Sequence, residues 1–357
     1  MQTSPIETDA VVVGAGPVGL FQVFQLGLLG IQAHIVDVLP HPGGQCVELY
    51  PDKPIYDIPG IAVCTGRELT ERLLAQIAPF NASFHLGHEI SGVARQSDGR
   101  FLVDAGHDLR FLTRTIFIVA GVGAFKPRSL ALPGIEHHLG SQLFHDAHAI
   151  ERFAAKHLVI VGGDDAALEQ AIALCPNPDQ PTPHAAASVT LLHRRELFQA
   201  EPARVEQIHA LCQARRMQFI AGQVSGFEAT EGRITQLQVS CADGSTQALP
   251  LDALLVLLGL SPKLGPIAHW GLAMQRRQLV VDTATFTTAE PGIFAVGDIN
   301  TYPGKKKLIL CGFHEATLAA YGAAALLWPN DPVNVQYTTT STQLHKRLGV
   351  DTPAQSV

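Results

Sequence analysis

No uninterrupted apolar run in this chain approaches the roughly 20 residues that a membrane-spanning helix requires, so no transmembrane segment is expected. Its beginning, Met1-Gln2-Thr3-Ser4-Pro5-Ile6-Glu7, has neither the basic n-region nor the apolar h-region of a secretory signal, and a cytoplasmic location is the expectation. The six cysteines, Cys46, Cys64, Cys175, Cys212, Cys241 and Cys311, are scattered. They form no Cys-x-x-Cys and no spacing against histidine that would build a zinc site. The 16 histidines have no convergent carboxylate pattern, and no metal is expected. Positive charge is scarce too: 25 Lys and Arg against 32 Asp and Glu leave a net charge of −7, which argues against a nucleic-acid partner.

What is present is enough chain for two domains, 357 residues with 46% hydrophobic content and 32 glycines, a composition that suits an α/β protein with tight turns. The order strand, glycine turn, helix occurs twice. Asp9 to Val13 has the form of a strand buried on both faces and runs into Gly14-Ala15-Gly16-Pro17-Val18-Gly19. Pro17 to Leu29 carries apolar residues at helical spacing and stops at Gly30, and His34 to Val38 is the next strand, with Asp37 near its end. The second occurrence is Leu158 to Val161, then Gly162-Gly163-Asp164-Asp165-Ala166-Ala167, then a strand ending in His193-Arg194-Arg195.

Each half continues into short alternating runs that read as an antiparallel excursion closed by a buried strand. In the first half these are Phe84-His85-Leu86, Ile90-Ser91-Gly92-Val93, Phe101-Leu102-Val103 and Leu109-Arg110-Phe111, closed by Thr115 to Val119. In the second they are Ser225 to Glu228, Ile234 to Val239 and Ala248-Leu249, closed by Ala253 to Leu257, while Pro176 to Pro183 is a loop. The expected fold is α/β, with two Rossmann-like three-layer dinucleotide-binding domains, each with an antiparallel β insertion, plus a C-terminal tail. The expected domains are 1–122 with 285–333 for the first nucleotide unit, 123–284 for the second, and 334–357 as the C-terminal extension.

In Gly14-x-Gly16-x-x-Gly19 the first glycine permits the turn, the second admits a pyrophosphate to the backbone, and the third permits close helix packing. Free N–H groups at the helix start receive the anion. A carboxylate at Asp37 accepts bonds from a ribose hydroxyl pair and repels a 2′-phosphate, so this site takes an unphosphorylated ribose. Thr288-Ala289-Glu290-Pro291-Gly292-Ile293-Phe294-Ala295-Val296-Gly297-Asp298 matches the strand and aspartate that hold the ribityl chain in two-dinucleotide flavoproteins, which selects FAD. In the second turn Asp164 stands where the middle glycine is expected, close to where a pyrophosphate would lie. Arg194 and Arg195, where the first unit has Asp37, present planar donors suited to a phosphate monoester, which selects NADPH over NADH.

Nearly the whole chain resembles the ferredoxin–NADP⁺ reductases of the thioredoxin-reductase-like type. The resemblance rests on Gly43-Gly44-Gln45, on Glu48-Leu49-Tyr50-Pro51-Asp52-Lys53-Pro54-Ile55-Tyr56-Asp57-Ile58-Pro59-Gly60, and on Ala120-Gly121-Val122-Gly123-Ala124-Phe125-Lys126-Pro127-Arg128. Tyr302-Pro303-Gly304-Lys305 and Gly312-Phe313-His314-Glu315-Ala316 complete it. It implies an enzyme passing electrons between NADPH and ferredoxin or flavodoxin, with no protein side chain doing the chemistry. The implied FAD contacts are Gly14, Gly16, Pro17, Gly19, Asp37, Gly44, Gln45, Tyr50, Ile90, Phe125 and Asp298, with Tyr50 stacking on one flavin face. The implied NADP contacts are Gly162, Gly163, Asp165, Ala166, His193, Arg194 and Arg195. It also implies a homodimer in which the second subunit's tail stacks Tyr337 on the other flavin face, with Thr338 and Thr339 beside the ring. The helix starting near Gly312 should aim its positive end at the flavin N1 and C2 carbonyl. One departure is that the family's His-Arg-Arg-x-x-Phe-Arg-Ala reads Phe198-Gln199-Ala200 at its end, losing a phosphate ligand.

Lys305-Lys306-Lys307 is a candidate patch for docking an acidic carrier protein. A thioredoxin reductase would need a dithiol ahead of the second glycine turn, and Leu143-Phe144-His145-Asp146-Ala147-His148-Ala149-Ile150 has no cysteine. Cys46 reads as a small buried hydrophobe. The alternative reading is a related flavoprotein without a dithiol, acting as a redox sensor or diaphorase.

Overall fold

A computed structural model describes residues 4–350 apart from 148, 178, 180, 242 and 332. The end of the expected tail, 351–357, and single positions in three stretches named above, His148, Pro178 with Gln180, and Pro332, lie outside the described residues. The chain divides into two units, one running to Phe125 and resuming at Pro262, the other Lys126–Ser261.

In the first unit parallel strands run in the order Ser83–Leu86, Ala33–Asp37, Ile6–Val13, Arg110–Ile118. Helix α1 (Pro17–Leu29) links the central pair; Pro17 opens it and Gly30, at φ 80, closes it. A short helix α2 (Gln45–Leu49) precedes α3 (Gly66–Ile77), whose start is held by a reciprocal capping box between Thr65 and Glu68. As a crossover helix, α3 makes Ser83–Leu86 a third parallel strand, where the sequence suggested the start of an antiparallel excursion. Leu109-Arg110-Phe111 and Thr115 to Val119, expected as separate strands, are one strand, Arg110–Ile118. The threonines within it are buried and satisfied: Thr113 Oγ1 donates to Thr115 O at 3.0 Å, and Thr115 Oγ1 to Asp9 O at 2.8 Å. The first half of this strand pairs antiparallel with Phe101–Asp104, itself paired with Gly92–Arg95; its second half pairs parallel with Ile293–Ala295.

The second unit repeats the scheme. Leu143–Phe144, Ala253–Leu257, His157–Gly162, Ser188–His193 and the start of Gln218–Thr230 are parallel, followed by antiparallel Arg233–Cys241 and Thr246–Pro250. Helices α4 (Asp165–Leu174) and α5 (Pro202–Gln213) pack on it.

Residues 262–284, expected with the second unit, contribute Ile267, Leu279 and Val281 to the core of the first. The cause is local pairing: Gln278–Val280 runs parallel to Asn300–Thr301. Helix α6 (Ile309–Leu327) is long and apolar enough to cross a membrane by composition alone. Its alanine face, Ala316, Ala319, Ala320 and Ala323, is instead fully buried in the first unit's core. Helix α7 (Thr342–Leu348), capped by Ser341, rests on α1, where Arg347 Nη1 donates to Leu28 O.

Candidate functional site

The first unit contains a cavity at the C-terminal ends of its parallel strands, lined by Gly14, Gly16, Pro17, Asp37, Gly44, Gln45, Tyr50, Ile90, Phe125 and Asp298. Residues far apart in the chain converge here because strand ends, turn and helix start meet on one edge of the sheet. Gly14 sits at φ +115, and a Cβ there would lie 2.5 Å from Val119 O, so the turn admits no side chain. Gly19 is off the wall and does the packing that the spacing implied: a Cβ on it would lie 2.0 Å from Gly14 O. Gly43 N donates to Ala15 O at 2.9 Å, which lays Gly44 and Gln45 beside the turn. Helix α1 begins at Gly16 with no side chain capping it, leaving its first N–H groups for an anion.

Asp37 is fixed in place by Ala15 N, which donates to Oδ2 at 2.5 Å, and Leu39 N, which donates to Oδ1 at 2.8 Å. Burial holds its carboxyl above the usual range, against the pull of those bonds. Asp298 is likewise raised by burial, opposed by Lys305 and Lys307. The Tyr50 hydroxyl lies 3.5 Å from Cys46 Sγ, and burial pushes both groups up, so neither ionises readily. All six cysteines are free, and among the described residues no cluster of His, Cys, Asp and Glu could hold a metal.

Two features of this cavity escaped the sequence reading. Lys307 is on its wall, and so is Ile309, where α6 begins ahead of the start expected near Gly312. Beneath Asp298 lies a buried polar cluster centred on Glu315, which has no exposed surface. Its Oε2 accepts from Gly297 N at 2.7 Å and Asn300 Nδ2 at 2.8 Å; its Oε1 accepts from the Tyr302 hydroxyl at 2.9 Å and from Lys305 Nζ. Lys305 also donates to Gly297 O at 2.8 Å and has 7% side-chain exposure. It is therefore a structural cation and not part of a docking patch, while Lys306 and Lys307 are exposed. A lone glutamate in an otherwise alanine-rich helix was the available signal.

The second unit has its own cavity, lined by Gly163, Asp164, His193, Arg194 and Gln199, together with Arg128, Gly222 and Leu257. Gly162, Asp165, Ala166 and Arg195 are off its wall. A Cβ on Gly162 would lie 2.4 Å from Leu257 O, so that glycine serves packing. Asp165 accepts from Arg204 Nη1 at 2.6 Å and Glu201 N at 2.9 Å, which turns its carboxylate away. Arg194 and Arg195 are exposed. The His193 ring lies against Gly163, and burial first, then Arg194 and Arg195, keep its imidazole neutral.

Among the described residues, none of the tail lies on the cavity wall of its own chain. Tyr337 is 71% exposed, and Thr338 O accepts from His345 Nε2 at 2.6 Å.

Residues 8–319 match the family model described as pyridine nucleotide-disulphide oxidoreductase. The chain belongs to this family. Among its curated relatives, a ferredoxin–NADP reductase of Albidiferax ferrireducens is 61% identical, the match covering 98% of each chain. A protein named ferredoxin–NADP reductase 2 from Cupriavidus taiwanensis is 58% identical over 98% of this chain and 92% of its own. Among solved structures, Lactococcus lactis thioredoxin reductase aligns with a TM-score of 0.55 at 21% identity, over 90% of this chain and 99% of that one. A bacillithiol disulfide reductase from Staphylococcus aureus aligns at 0.58 and 16% identity, over 91% and 100%. At those identities the family's shared two-nucleotide fold is what the structures have in common with this chain.

Proposed function

We propose that this oxidoreductase is an FAD enzyme that passes electrons between NADPH and ferredoxin or flavodoxin. The observation that carries the reading is the opposition of charge between the two nucleotide cavities. The first presents two half-buried carboxylates, Asp37 and Asp298; the second presents the guanidiniums of Arg128 and Arg194, with Asp164 as the one carboxylate among its described residues. Supporting it, relatives alike over almost the full length carry the name ferredoxin–NADP reductase.

The first cavity fits FAD. Its uncapped α1 start, with a turn that excludes a Cβ at Gly14, suits a pyrophosphate. Asp37 and Asp298 offer acceptors to ribose and ribityl hydroxyls, and Tyr50, Ile90 and Phe125 offer apolar surface to the ring. Bound there, FAD supplies two-electron acceptance on the nicotinamide side and single-electron release on the other. The chain's own contribution is placement and field. The N-terminal end of α6 at Ile309 brings partial positive charge to the cavity, and Lys307 adds a full one. In the second cavity, Arg194, with Arg195 beside it, selects the 2′-phosphate and neutral His193 packs on the turn.

The cysteines support electron exit without a thiol relay, since burial raises Cys46 and Cys175 away from the thiolate form. The further parts of the reading are a homodimer whose tails place Tyr337, Thr338 and Thr339 over each other's flavin, a cytoplasmic location, and docking of an acidic carrier through Lys306 and Lys307. Steady-state assays with NADPH and NADH against ferredoxin, flavodoxin and thioredoxin test it. The expected outcome is NADPH preference that an R194A/R195A double variant abolishes, ferredoxin or flavodoxin turnover that falls with salt, and no disulfide reduction. An unchanged preference in that variant, or turnover with thioredoxin, overturns it.

A further inference from the structure

The two glycine turns begin their helices differently. Helix α1 starts at Gly16 with no side-chain acceptor, whereas α4 starts at Asp164, whose Oδ1 accepts from Ala167 N at 3.1 Å. The carboxylate thus already occupies the place where an incoming phosphate group would meet the helix N-terminus. Asp164 has φ −103, so the backbone here does not require glycine, and nothing conformational opposes the side chain. Gln199, the other departure from the family pattern, forms a bridge with Asp164, its N donating to Gly163 O at 2.8 Å. Both departures therefore lie in one contact on the wall that also carries His193 and Arg194.

We propose that Asp164 sets the affinity of the NADPH site, acting as an internal anion that competes with the dinucleotide's pyrophosphate for the start of α4. The inference rests on the reading of this cavity as the NADPH site. Its consequence is a division of labour: the 2′-phosphate end is held through Arg194 and Arg195, while the pyrophosphate is held weakly and leaves readily. Asp165 cannot share the role, because Arg204 neutralises it. Asp164 brings negative charge to the start of α4, and Gln199 paired beside it brings no compensating cation.

The test is equilibrium titration of the FAD-loaded protein with NADP⁺ and with adenosine 2′-monophosphate, which has the 2′-phosphate but no pyrophosphate. D164N and D164S keep an N-cap acceptor and so keep α4 intact while removing the charge. Both variants are expected to bind NADP⁺ about tenfold more tightly at low salt, with the gain shrinking at high salt. Adenosine 2′-monophosphate should bind them as it binds the parent protein. Equal NADP⁺ affinity in parent, D164N and D164S, with adenosine 2′-monophosphate still bound and lost in R194A/R195A, overturns the role of Asp164 alone. If R194A/R195A leaves both ligands bound as before, the cavity is not the NADPH site and the inference falls with it.

Discussion

Replacing Glu315 by glutamine should destabilise the first unit more than replacing Lys305 by methionine, although each removes one half of the same ion pair. Glu315 has no exposed surface, and its two oxygens face only donors: Gly297 N, Asn300 Nδ2, the Tyr302 hydroxyl and the Lys305 ammonium. A glutamine puts an NH₂ against one pair of those donors and leaves the Lys305 ammonium, 7% exposed, without its paired counter-charge. Stranding a buried charge in this way costs about 3–5 kcal/mol. In K305M the carboxylate keeps three neutral donors, so the loss is nearer about 1–3 kcal/mol. The E315Q/K305M double variant removes both charges and should lose less than the sum of the single changes, by about 1–3 kcal/mol. Both tryptophans, Trp270 and Trp328, belong to the first unit, so tryptophan emission during urea unfolding at fixed FAD concentration follows the unit that holds the cluster. A cost for E315Q below about 1 kcal/mol, or single-variant losses that simply add, refutes the reasoning.

FAD affinity should rise with pH through the mildly acidic range and then level off. Burial raises Asp37 and Asp298 in the FAD-free chain, hydroxyl donors favour their ionised forms, and binding therefore releases protons. The same raised groups make the FAD-free chain lose stability as pH rises through their titration; FAD affinity independent of pH from 4.5 to about 7 would contradict the assignment. Gly14→Ala should cost about 1–3 kcal/mol in strain alone at φ +115, beyond its collision with Val119 O, and should abolish FAD retention on gel filtration; a yellow variant of normal stability counts against the turn's role. Cys46 and Cys175, raised by burial, should alkylate with iodoacetamide far more slowly in the native chain than after unfolding, and equal rates would show that these thiols are accessible.

Much of this architecture was legible because local signals and tertiary demands coincide. Pro17 and Gly30 mark the ends of α1, and the structure has Pro17–Leu29. Ala253 to Leu257 reads as a buried strand from composition alone and is one. The antiparallel returns were located but not their lengths, as in Gln218–Thr230 around Ser225 to Glu228, since alternation fades at exposed strand ends. Helix α3 was missed, and with it the parallel sense of Ser83–Leu86, although Thr65 and Glu68 mark its start. The strand Arg110–Ile118 was read in two pieces, Leu109 to Phe111 and Thr115 to Val119, because the change from antiparallel to parallel partners along it is set by pairing and not by residue type.

By itself the sequence determined the two glycine turns and the charge at the strand end that follows each, Asp37 after the first and Arg194 with Arg195 after the second. Those depend on glycine sterics and on carboxylate or guanidinium chemistry, which travel with the residue type. Only the tertiary structure decided that Lys305 is buried against Glu315, that residues 262–284 belong with the first unit, and that the Asp164 carboxylate caps α4 while Asp165 turns to Arg204. A side chain's charge is a local property. Whether that charge meets solvent, a counterion or a helix end is set by what the rest of the chain places beside it.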